Sequence, residues 1–198
     1  SKRVAGGFTT LFRPTPSKLD RSSRRDPCPW KALRSIRSST RSPNMPYRRF
    51  DWHEHIREVW GEYWSAREAV DRLRAAVAAK PDLLDKDSLA RKHLRDAHRN
   101  LEGTYIVPLF AAFEAALRSY DRVVHGDATR QTDAATMIAQ IGGKRGRGIQ
   151  SGIRQEAQEV RLVRNFRAHE SDEDPGPLDI DEARRRLQKF LSELPEEW

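Results

Sequence analysis

From Trp52 to the C-terminus the apolar residues recur at helical spacing and never alternate in twos, which confines the chain to amphipathic helices packed on one another. The first stripe is Trp52, Ile56, Val59, Tyr63, Val70, Leu73 and Val77. Asp51 with Glu54 three residues on marks its start as a capping-box-like pair, and Lys80-Pro81-Asp82 marks its end. A second stripe, from about Ser88 to Val124, takes in Leu94, Ala97, Leu101, Tyr105, Leu109, Ala112, Phe113, Ala116, Leu117, Tyr120 and Val124. Gly103 and Pro108 interrupt it. Proline removes a backbone donor and crowds the carbonyl four residues back, so a kink or break is predicted there. His125-Gly126-Asp127 stops the helix.

A short helix is predicted from about Asp133 to Ile141, capped by Thr132. The next, from about Ile149 to His169, buries Ile149, Ile153, Ala157, Val160 and Val163. The last starts at Asp179, again with a glutamate three residues on, and buries Ile180, Ala183, Leu187, Leu191 and Leu194. The expected fold is all-α, an up-down bundle of four to five helices over residues 49–198 with no sheet. No apolar run approaches the ~18 residues of a membrane span, so a soluble or peripheral protein is expected.

Residues 1–48 read differently. They are rich in Ser, Arg and Pro, lack periodicity, and are predicted to be a disordered basic tail. Twelve basic residues face only Asp20 and Asp26, so this segment carries +10 of a net +8 and leaves −2 for the rest. The bundle is therefore not basic overall, and any nucleic-acid argument rests on local patches. Three accounts of the tail stay open: a start placed too early, with Met45 as the alternative; a basic arm on nucleic acid; or an Arg- and Ser-rich transit peptide. The single cysteine, Cys28, excludes an internal disulfide and a cysteine-based zinc site and fits a reducing compartment.

Several enzyme signatures are missing. There is no Walker phosphate loop, although Gly142 to Gly148 holds four glycines; no H-E-x-x-H, since His53-Glu54-His55 lacks the spacing; and no G-x-S-x-G elbow. What remains is Val160 to Glu170. Arg164 falls where the stripe through Ile153, Ala157 and Val160 calls for an apolar residue. Asn165 and His169 are four apart and share a helix face, so the amide can orient the imidazole. Arg154, Arg161, Arg164 and Arg167 crowd the same helix, with Lys144, Arg145 and Arg147 just before it.

This grouping suits RNA cleavage. Attack of a 2′-OH on the adjacent phosphate needs proton transfer, which histidine supplies near neutral pH, and stabilisation of charge on phosphoryl oxygens, which the arginine fork supplies. Catalytic roles are expected for Arg164, Asn165 and His169, with Glu114 as a supporting carboxylate. Lys144, Arg145, Arg147, Arg161 and Arg167 are expected to bind RNA, with no metal and no cofactor. One obstacle is angular: at ~100° per residue, Arg164 and His169 lie ~140° apart around a helix.

The string Arg164-Asn165, three residues, His169, late in the penultimate helix of a small α-bundle, resembles the HEPN superfamily, whose hallmark is R-x(4–6)-H with a polar residue after the Arg. The run Leu109 to Arg118, with Glu114 among aromatic and small residues, looks like the HEPN core helix. The resemblance spans about Asp51 to Leu194. It implies a metal-independent endoribonuclease of a toxin–antitoxin or defence system, cytoplasmic. It also implies a homodimer in which Arg164 and His169 of different subunits cooperate in one cleft, and an antitoxin as partner. HEPN toxins silenced by a nucleotidyltransferase carry Tyr two residues after the His; Ser171 stands there instead. Two rival readings remain: a catalytically inert HEPN-like scaffold, and a nucleic-acid-binding protein driven by its tail.

Overall fold

The computed structural model describes residues 48–84, 88–144, 148–169 and 174–198. The predicted tail apart from Arg48, and also Arg145, Arg147 and Ser171, lie outside them. The described residues form five α-helices: α1 (Arg49–Ala79), α2 (Ser88–His125), α3 (Ala134–Gln140), α4 (Ser151–Ala168) and α5 (Ile180–Ser192). A 3₁₀ turn at Pro81–Leu84 follows α1. No strand occurs among the described residues; the extended pairings are two isolated bridges, Arg48 with Glu197 and Gly142 with Gly148. α2 is the central element, packing on α1, α3, α4 and α5, while α4 also packs on α5 and α3.

Helix periodicity accounts for the core. Ile106, Leu109, Phe110, Phe113, Ala116 and Leu117 of α2 meet Ile153, Ala157, Val160 and Val163 of α4, and Ile180, Ala183, Leu187, Phe190 and Leu191 of α5, in one buried cluster. Phe113 stands edge-on to Phe190 with ring centroids 5.4 Å apart. Such aromatic pairs add ~0.5–1.5 kcal/mol beyond the burial of the rings themselves.

Several ends differ from the sequence reading. The N-cap of α1 is Arg48, and Asp51 sits three residues inside, its carboxylate accepting from the Arg48 amide at 3.3 Å. A carboxylate in the first turn also suits the helix dipole there. The cap of α3 is Asp133, not Thr132; its carboxylate accepts from the amide and hydroxyl of Thr136, which hold its pKa below the usual carboxylate range. Thr132 instead donates to Asp121. Asp179 caps α5 as expected, accepting from the Glu182 amide at 2.7 Å. A second carboxylate, Glu102 of α2, accepts from Ile180 at the same terminus.

Pro108 does not break α2, which runs through it for 38 residues. Both Pro108 and Thr104, whose carbonyl loses its partner, are exposed, so water can serve that carbonyl while Ile106, Leu109 and Phe110 hold the helix to the core. α2 ends as predicted. Gly126, at φ 63°, donates to the Val123 carbonyl and Asp127 to that of Arg122, the Schellman pairing.

The stripes of α1 and α2 are longer than the core they feed. Among the described residues none after Tyr63 in α1, and none before Ile106 in α2, is buried, and Leu73 is 41% exposed. There α1 and α2 form a two-helix hairpin, joined by contacts such as His98 Nε2 to Asp71 Oδ1 at 3.2 Å. At the other end Val124 is 57% exposed. No helix among the described residues is long and apolar enough to cross a membrane.

Candidate functional site

The motif occupies the last turn of α4. Val160 and Val163 are buried, which fixes the helix on the core and directs the residues between and after them toward its margin. Arg164 is held there at 26% side-chain exposure. Its guanidinium carbon lies 5.5 Å from the centre of the Phe110 ring, a cation–π distance. One terminal nitrogen donates to Asn165 Oδ1 at 2.9 Å, the other to Glu114 Oε2 at 3.4 Å. Its Nε is buried and meets no acceptor among the described residues. A buried donor without a partner costs ~1–3 kcal/mol.

Glu114 ties α2 to α4. One carboxylate oxygen accepts from Arg118 at 2.6 Å and the other from Arg164, so one negative charge lies between two guanidiniums. The supporting carboxylate expected from sequence therefore touches the motif arginine directly.

His169 is the C-cap of α4. It is exposed, and its backbone is extended, with φ −137° and ψ 150°. Its amide donates to the Asn165 carbonyl at 2.9 Å, and this backbone bond is the tie between the two residues. The Asn165 side chain faces Arg164 instead of the imidazole. Because His169 has left helical torsion angles, the helical-wheel angle of the sequence reading does not fix where its ring lies.

The described members of the expected RNA-binding set, Arg161, Arg167 and Lys144, each make their own local contacts. Arg161 donates to Gln158, and Arg167 is exposed beside Phe166, its guanidinium carbon 5.5 Å from the ring centre. The stem of Arg167 crosses Gly103, where a Cβ would come within 2.9 Å of Cδ; this close approach accounts for glycine in the middle of a long helix. Lys144 is exposed, and its amide donates to the Glu193 carbonyl at 2.7 Å.

Arg154, counted with that patch from sequence, has a different job. It donates to the carbonyls of Ile138, Ile141 (2.8 Å) and Ile149 (3.1 Å), and burial lowers its pKa. It fastens α3, and the two residues that flank the glycine loop, to α4. The sequence reading also passed over Asp121, the buried charged residue of the core at 5% exposure. Its carboxylate accepts from Arg130 Nε and Thr132 and faces His125 Nδ1 at 3.2 Å, closing the 126–133 loop onto α2. Four residues after Leu117, Asp121 is a carboxylate on the core line of α2, and that position was the available signal.

Among the described residues no three His, Cys, Asp or Glu side chains gather closely enough to hold a metal ion. Compared with protein-family models, curated proteins and solved structures, the chain matches none.

Proposed function

We propose that this protein is a metal-independent endoribonuclease of the HEPN type, acting as a homodimeric toxin or defence effector. The observation that carries the reading is Arg164: a guanidinium at the edge of the core, above Phe110, aimed by Asn165 and Glu114 and five residues from an exposed histidine. An arginine so placed is pre-organised for the charge that grows on a phosphoryl group.

In this reaction the 2′-oxygen forms a bond to phosphorus and the bond from phosphorus to the 5′-oxygen breaks. A base removes the 2′-proton, an acid protonates the departing oxygen, and the products are a 2′,3′-cyclic phosphate and a 5′-hydroxyl. His169 serves one proton transfer, its counterpart from a second copy the other, and Arg164 stabilises the phosphoryl oxygens. Histidine acid–base catalysis contributes about 10²–10⁴-fold.

The test is RNA cleavage by the purified protein in EDTA. The wild type is expected to cleave, and His169→Ala to lose at least ~10²-fold in rate while keeping its circular dichroism spectrum. Cleavage by His169→Ala at the wild-type rate would refute the assignment. The second reading, an inert helical interaction module, is favoured by the fact that two terminal nitrogens of Arg164 are already bonded within the chain. It predicts no cleavage and a silent His169→Ala.

A further inference from the structure

Beside the motif arginine, α2 carries an open groove of about 660 Å³ that the motif does not use. Glu114, Arg118 and Arg122 follow one another at four-residue steps along it, and Ala111 and Ala115 keep its floor low. Trp52 of α1, half-buried and packed against the core, also lines it. The charged line starts at Glu114, the residue that also holds Arg164, so groove and motif are continuous.

The chemistry of the groove selects its ligand. Arg118 gives one terminal nitrogen to Glu114, and Arg122 gives its Nε to the Arg130 carbonyl. Among the described residues the two terminal nitrogens of Arg122, and Nε with the second terminal nitrogen of Arg118, have no hydrogen-bond partner. Glu114, Arg118, Arg122 and Arg164 together carry +2. One helical step of four residues is about 6 Å, comparable with the step between neighbouring phosphates on an extended strand. Guanidiniums at that spacing with an aromatic ring beside them form a grip for a single-stranded polyanion whose units have flat faces. An acidic peptide would satisfy the charges but not the ring.

We propose that this groove seats the single-stranded RNA flanking the scissile phosphate, with Arg118 and Arg122 on successive phosphates and Trp52 against a base. The proposal rests on the nuclease reading of the adjacent motif. It assigns substrate binding to residues outside that motif and leads the strand toward Arg164.

The test is binding of a labelled single-stranded oligouridylate by the full chain carrying His169→Ala, over a series of salt concentrations, with cleavage by the otherwise wild-type chain followed in parallel. Arg118→Gln/Arg122→Gln is expected to weaken binding about tenfold at physiological salt and to flatten the log–log salt slope by about 1.4, two phosphate contacts on a single strand. Arg118→Lys/Arg122→Lys, which keeps the charges, should restore most of that slope; it also controls for any disturbance of Glu114. Trp52→Leu should weaken binding without changing the slope, and Trp52→Phe should recover it.

Unchanged affinity and slope in the double glutamine variant, with wild-type cleavage intact, would overturn the groove and leave the nuclease standing. A fall in affinity and slope without any wild-type cleavage would uphold the groove and remove the nuclease. A chain that binds no oligouridylate, or binds an acidic peptide or a second copy of itself through Arg118 and Arg122 instead, would also overturn the groove.

Discussion

Replacing Arg154 should unfasten the glycine loop, and the structure sets the size of the effect. Arg154→Met keeps an apolar stem of similar reach and deletes three donors, leaving the carbonyls of Ile138, Ile141 and Ile149 without the guanidinium. Hydrogen bonds to a charged group contribute a net ~1.5–3 kcal/mol each. Adding three at face value overstates the loss. Arg154 is only half-buried, so water can reach part of the vacated space, and removing a buried cation also removes its own desolvation cost. A loss of about 3 kcal/mol remains, or ~6–12 °C in Tm for a domain of this size. Urea denaturation gives the global figure. Hydrogen exchange of the Lys144 amide, which the loop presents to the Glu193 carbonyl, gives the local one. Arg154→Lys should lose most of the same stability, because one ammonium cannot span three carbonyls. A cost below about 1 kcal/mol with Lys144 protection unchanged would refute the argument and return Arg154 to the surface patch.

Three further outcomes follow from the geometry. Phe113→Ala, at the centre of α2 against Phe110 and Phe190, should cost ~3–5 kcal/mol in urea denaturation. Asp179→Ala removes one of the two carboxylates that accept from the first amides of α5 and should cost about 1 kcal/mol, with Glu102 limiting the loss; Glu102→Ala/Asp179→Ala should cost more than the sum of the single changes. Burial first, then Arg49 and Arg57, lower the pKa of His53, so the unfolded chain takes up its proton at a higher pH than the folded one. Stability should therefore fall as pH drops below roughly 6.5 and level off once the folded form is protonated too; His53→Gln should flatten that part of a pH–stability curve.

How much of this was legible in the sequence depended on how local the cause was. The buried faces of α4 and α5, the cap at Asp179 and the stop at Gly126 each follow from residues within one or two turns, and the sequence reading found them. Asp133 and Thr132 are both competent caps side by side, and the choice was made by Asp121, eleven residues away, which takes the threonine hydroxyl. The stripes through Leu73, Val77 and Leu94 were real helical faces, but periodicity does not say how far the neighbouring helices reach. Arg154 and Arg161 look alike in sequence; the carbonyls of Ile138, Ile141 and Ile149 around Arg154 separate them. At the candidate site, the adjacency of Arg164 and Asn165 was readable, whereas the bond from Arg164 to Glu114 joins residues fifty apart and needed the packing of α2 on α4.

The projecting hairpin has a consequence for how the molecule comes apart. With no buried residue beyond Tyr63 in α1 or before Ile106 in α2 among the described residues, that end can open while the aromatic centre stays closed. Its amides should exchange by partial opening, at a free energy well under that of global unfolding. A protease would nick the chain near Pro81 long before it reached α4. Arg164, which lies over Phe110 and follows the buried Val163, belongs to the slow-opening part, so fraying at the tip should leave it in place.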